Sequence, residues 1–174
     1  MKKKPIYLWI LLVLSALISA SSLFGILGPV PSKEVLRASL SNSGSLTAQQ
    51  IEDTVNYTYQ VTAASHSIFN VVLIVLSAIL VVVAFVFLVR KNVQFANYAY
   101  LGYLLLAIVG LVYSFVNIQD AIQLIKDDTL GLGIGTLAKG TVILFMIINV
   151  LFLALVLYKM WRQQKDLAEE AEAE

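Results

Sequence analysis

Ile68–Val89 reads IFNVVLIVLSAILVVVAFVFLV, a run with no charge, no proline and no glycine. A helix rises about 1.5 Å per residue, so roughly 20 apolar residues cross a hydrocarbon core of about 30 Å. A barrel strand would be about ten residues of alternating polarity. The run does not alternate, so it reads as a membrane-crossing helix. Outward from it lie three comparable stretches, residues 6–28, 95–116 and 136–158. Lys139 is the only charge in the four, and it sits near one end of its stretch, where a long aliphatic stem can carry the ammonium to the interface. The fold expected is all-α, a four-transmembrane-helix bundle.

Composition agrees with this reading and narrows function. The chain of 174 residues is 59% hydrophobic and 13% charged. Soluble domains hold about 45–50% apolar and about 25% charged residues, so the composition argues against a soluble globular enzyme. The chain has no cysteine and a single histidine. Disulfides, thiol catalysis, iron–sulfur clusters, thiolate zinc sites and bis-histidine haem within one chain are excluded with them. A net charge of +1 gives no reason to expect a nucleic-acid partner.

Lys2, Lys3 and Lys4 before an apolar run also describe a secretory signal peptide, with Ser19-Ala20-Ser21 as its cleavage site. The apolar run continues through Leu23, Phe24, Ile26 and Leu27, beyond the usual length of about 7–15 residues, so a retained helix is expected. With the N-terminus cytoplasmic, Lys2, Lys3, Lys4, Arg90, Lys91, Lys159, Arg162 and Lys165 fall inside, against Lys33, Arg37, Lys126 and Lys139 outside. The positive-inside rule then places both termini in the cytoplasm of a multi-pass cell-membrane protein. The turn Arg90-Lys91-Asn92 weighs most, because short loops follow the rule best. The absence of cysteine fits a bacterial envelope. The segments expected are a cytoplasmic N-terminus 1–5, an extracytoplasmic helical loop 29–67, a cytoplasmic turn 90–94, a second outer loop 117–135 and a cytoplasmic acidic tail 159–174.

The first outer loop carries the strongest local signals. Pro29 and Pro31 end the first span, and Ser32 can cap a short helix over Lys33–Leu40. Ser41-Asn42-Ser43-Gly44 reads as a turn. Thr47 with Gln50 forms a capping box. Beyond it Ile51, Val55 and Tyr59 share one stripe, with Glu52, Asp53 and Asn56 facing elsewhere. Nothing from Thr47 to Val89 is a proline or glycine, so one long rod into the second span is expected. The stripe, together with Val35, Leu36 and Leu40 on the neighbouring short helix, is the candidate partner-binding surface.

The remaining motifs carry less chemistry. The glycines at 131, 133 and 135 match neither the phosphate-loop nor the dinucleotide pattern, and read as a flexible approach to the fourth span with a close helix contact. Asp120, Asp127 and Asp128 lack the spacing of a calcium loop and read as solvated charge. His66 marks the outer interface, and the tail Glu169–Glu174 has no apolar face and reads as frayed. Tyr98 and Tyr100 suit the inner interfacial belt. No acid, arginine or histidine lies deep in a span, which argues against a proton-coupled transporter working alone. The intramembrane polar residues are Ser15, Ser19, Ser77, Tyr103 and Asn149, and interhelical hydrogen bonding is their expected role. Val- and Ile-rich character assigns the second span to lipid or a partner. Small residues on the first and third spans allow close packing.

Span count and an enlarged first outer segment are similar to the topology of claudins. The claudin cysteine pair and tryptophan motif are absent here, so the similarity implies nothing about function. No cofactor, metal site or catalytic constellation is expected. The function expected is a non-enzymatic accessory or scaffold subunit of a cell-envelope complex, bound to another membrane or extracytoplasmic protein. The alternative is a transporter or channel subunit whose pathway forms on oligomerisation.

Overall fold

The structure, a computed structural model, describes residues 5–42 and 46–172. Among these it is all-helical, with α1 (Ile6–Leu27), α2 (Lys33–Ser41), α3 (Ala48–Ser65), α4 (Ile68–Val89), α5 (Val93–Ile122) and α6 (Asp128–Glu172). Four of them, α1, α4, α5 and α6, are long and apolar enough to cross a membrane. Lys2 to Lys4, the Ser43-Gly44 part of the expected turn and the last two residues of the acidic tail lie outside the described residues.

α1 packs on α4, α4 on α5, and α5 on α6. The core lies at the end of the bundle nearer the termini. There Leu8, Leu12, Ala84, Ala96, Tyr100, Leu104 and Val156 are fully buried. The expectation that the second span faces lipid or a partner is revised in part: α4 lies between α1 and α5 and buries Leu73, Val81, Ala84 and Leu88, while Val72, Val75, Ile79, Val82 and Val86 keep an exposed apolar face. Gly102 makes this possible, since a Cβ there would stand 3.2 Å from Leu80 Cδ1.

Three further expectations are revised. First, the rod from Thr47 to Val89 is broken at His66–Ser67. Polar caps accomplish this without proline or glycine. Ser67 Oγ accepts from Asn70 N at 3.3 Å, and Asn70 Nδ2 donates to Ser65 O at 2.7 Å. The His66 ring reaches Gly28 O (3.0 Å) and Thr62 O (2.9 Å), joining the end of α1 to the break. Second, the glycine-rich approach to the fourth span is already helix, because α6 begins at Asp128. Asp127 accepts from Leu130 N at 2.8 Å and caps it. Gly135 permits a close approach, since a Cβ there would meet Ile122 Cδ1 at 3.0 Å. Third, the acidic tail continues α6 to Glu172. Glu, Ala, Lys and Gln are strong helix formers, and extending an existing helix needs no new nucleus.

The turn between α4 and α5 holds Lys91 at φ 61°, a left-handed conformation that a side chain adopts at some cost. Asn92 then caps α5 through Phe95 N at 3.2 Å.

Candidate functional site: a latched hairpin and a polar cleft

Two features at the loop side of the bundle stand out. The first is the hairpin of α2 and α3. Thr47 and Gln50 form the capping box in full. Arg37 donates to both Glu52 carboxylate oxygens, with a shortest contact of 2.8 Å. Both side chains are nearly half exposed, so this pair adds about 0–1 kcal/mol. Lys33 donates to Asn56 Oδ1 at 2.7 Å and lies over the Tyr59 ring.

The hairpin is fixed to the bundle by a carboxylate that lies off the apolar stripe. Asp53 is buried. Its Oδ2 accepts from the backbone N–H of Lys126 (2.9 Å) and of Asp127 (3.2 Å), and its Oδ1 accepts from Gln49 Nε2 (2.7 Å). Gln50 Nε2 returns a bond to Asp127 Oδ2 at 3.0 Å. The α5–α6 turn is thus stapled to the first turns of α3. Burial pushes the Asp53 carboxyl up. The Lys126 N–H, the Gln49 amide, the Asp127 N–H and the Lys126 charge outweigh it and hold the group below the ordinary carboxylate range. Asp127 is held low as well, by the Leu130 N–H and Gln50. It is a helix cap here rather than free surface charge.

This latch relocates the candidate partner surface. Val55 is fully buried within the chain, and Ile51, Tyr59, Leu36 and Leu40 are half-buried. The stripe therefore seats α3 in its own chain, where it packs on α2 and α5. Of the six residues proposed from sequence, Val35 alone is well exposed, at 61%.

The second feature is a half-open cleft of about 330 Å³ lined by all four long helices. Ser19 and Ser22 come from α1, Asn70 and Ser77 from α4, Tyr103 and Ser114 from α5, and Asn149 from α6. Four of the five polar residues singled out along the spans converge here. The fifth, Ser15, lies deeper and shares a hydrogen bond of 2.9 Å with Tyr100 OH. Tyr100 is accordingly fully buried and not in the interfacial belt. It stacks on Tyr103, with ring centroids 5.5 Å apart. Asn149 makes no interhelical bond among the described residues; its Nδ2 donates to Phe145 O, one turn back in the same helix, at 2.8 Å.

Sequence reasoning also missed Asn97, which is fully buried and accepts from Tyr7 OH at 2.9 Å. It sits one residue from Tyr98 and three from Tyr100, the tyrosines of the expected belt, so depth along the helix disguised it. Removing the Ser15–Tyr100 bond by Tyr100→Phe is expected to lower bundle stability by about 0.6–2 kcal/mol. Thermal unfolding in detergent, with Ser15→Ala giving the same loss and the double variant no further loss, checks this.

With this geometry in view, a family model matches residues 1–169, nearly the whole chain. The chain belongs to the family described as Domain of unknown function (DUF8777). No curated protein and no solved structure matches it. The match covers the residues of the hairpin, the latch and the cleft.

Proposed function

We propose that this is a non-enzymatic, multi-pass subunit of the cell membrane, with both termini cytoplasmic, of bacterial origin. It serves as an accessory or scaffold in a cell-envelope complex. The α2–α3 hairpin forms an extracytoplasmic cap on a four-span bundle, and the outward face of α2 around Val35 binds an extracytoplasmic or membrane partner. One observation carries this reading: the Asp53 latch onto Lys126 and Asp127. A mere connecting loop has no need of a buried carboxylate that locks it to a turn seventy residues away in sequence. A rigid surface binds a partner with less loss of conformational freedom than a mobile one. The apolar exteriors of the long helices suit a second contact within the bilayer.

The cleft favours a second reading, a transport subunit whose pathway completes on oligomerisation, with Ser77, Tyr103 and Asn149 along it. Purification of the intact chain in mild detergent separates the two. A stoichiometric heterologous partner, lost on Val35→Asp while membrane levels hold, is the result expected. A symmetric homo-oligomer with a continuous polar channel would replace the accessory reading with the transport one.

A further inference from the structure

The hydroxyls of Ser19, Ser77, Ser114 and Tyr103 line the cleft, and none has a hydrogen-bond partner among the described residues. Ser19 and Tyr103 are more than nine-tenths buried, yet both face this space. A serine in a helix ordinarily bonds the carbonyl one turn back, and Thr141 does so here at 2.8 Å. In hydrocarbon an unpaired polar group costs several kcal/mol. A cluster of them that leaves its local acceptors unused is a set of groups awaiting an occupant.

We infer that the cleft binds a neutral lipid alcohol, an uncharged hydroxyl-bearing head on hydrocarbon chains, of which diacylglycerol is the simplest probe. Three observations select this class. No Asp, Glu, Lys, Arg or His lines the cleft, so nothing there compensates a charged headgroup. The polar groups descend from Asn70 to Ser77, about 10 Å along α4. They therefore lead below the interface, where only an uncharged head enters cheaply. The chemistry is two-sided. Asn149 Oδ1 is an acceptor without a partner, which calls for a hydroxyl donor, while Tyr103 OH can donate to an ester carbonyl. Between the polar groups, Ile18, Leu73, Ile74 and Leu111 form an apolar wall for the chains. The Tyr103 ring is held by its stack on Tyr100, which Ser15 anchors in turn. The cleft is thus built on the packed core below it. The inference stands whether or not the cap binds a partner.

The test places the full chain in phosphatidylcholine vesicles containing a photoactivatable diacylglycerol, with cross-links mapped by mass spectrometry. Saturable labelling of the peptides around Ser77, Ser114 and Asn149 is expected. Unlabelled diacylglycerol should compete. Triacylglycerol, which lacks the hydroxyl, and phosphatidic acid, which is charged, should not. Tyr103→Phe with Asn149→Leu should weaken labelling about thirtyfold, the effect of losing two bonds of ordinary strength. Ser77→Leu, which narrows the cleft from another helix, provides the check should the double variant fail to fold. Labelling that never saturates would mean that the cleft holds only water or bulk lipid, and would overturn the assignment. Equal competition by all three lipids, or unchanged labelling of the variants, would overturn it too.

Discussion

Val55→Asp is expected to detach the α2–α3 hairpin from the bundle while the four long helices stay assembled. Val55 is fully buried, and a carboxylate at its position has no partner in a site that already holds the Asp53 charge. Burying an uncompensated charge costs about 3–5 kcal/mol, enough to release a small structural unit. The core of Leu8, Leu12, Ala84, Ala96, Tyr100, Leu104 and Val156 is a separate cluster, so insertion and membrane levels should be unchanged. Limited proteolysis should cut the variant within residues 33–65 and leave the parent intact there. Val35→Asp, on the exposed face of α2, should resist proteolysis like the parent. Equal resistance of the Val55 variant would show that the hairpin does not depend on this packing.

The second large effect is expected at Asp53. Asp53→Ala leaves the N–H groups of Lys126 and Asp127 without their acceptor. Hydrogen exchange of those two amides should accelerate about tenfold or more, the signature of local opening. Asp53→Asn keeps an acceptor oxygen and should fall between the two. Acid should reproduce the effect. Asp53 and Asp127 are both held below the ordinary carboxylate range in the folded chain. Their contribution is therefore complete above the unfolded carboxylate value of about 3.9 and disappears as pH falls through the lower folded values. Exchange should be unaffected at pH about 5 and rise only below about 4. Opening already at pH about 6, or an Ala variant that exchanges like the parent, would contradict the latch.

What the sequence disclosed follows from the kind of signal each feature leaves. Ile68–Val89 announces itself because a span is defined by composition over its full length. The Thr47–Gln50 box is local, and it forms as read. Asp53 is different: its partners on the bundle are backbone N–H groups more than seventy residues away, and any residue type but proline could supply them. The stripe of Ile51, Val55 and Tyr59 correctly marks an apolar face but does not say whether the cover is another protein or the same chain. Depth along a helix misplaced Tyr100 for a similar reason. Counting residues from a span end gives height in the membrane, whereas burial depends on which way the side chain faces, and Ser15 decides that for Tyr100. The same counting found Ser19, Ser77, Tyr103 and Asn149, because mid-depth polar residues are costly wherever they face. Their convergence on one cleft needed the packing order of the four helices.

The hairpin is proposed to be an external cap, and accessibility to an impermeant thiol reagent tests that most directly. The chain has no cysteine, so a single introduced thiol reports alone. Ala48→Cys lies on the exposed first turn of α3, and Gln164→Cys lies on the exposed tail side of α6. In intact cells the reagent should modify Ala48→Cys and reach Gln164→Cys only after permeabilisation. The reverse pattern would put the hairpin in the cytoplasm and contradict the account.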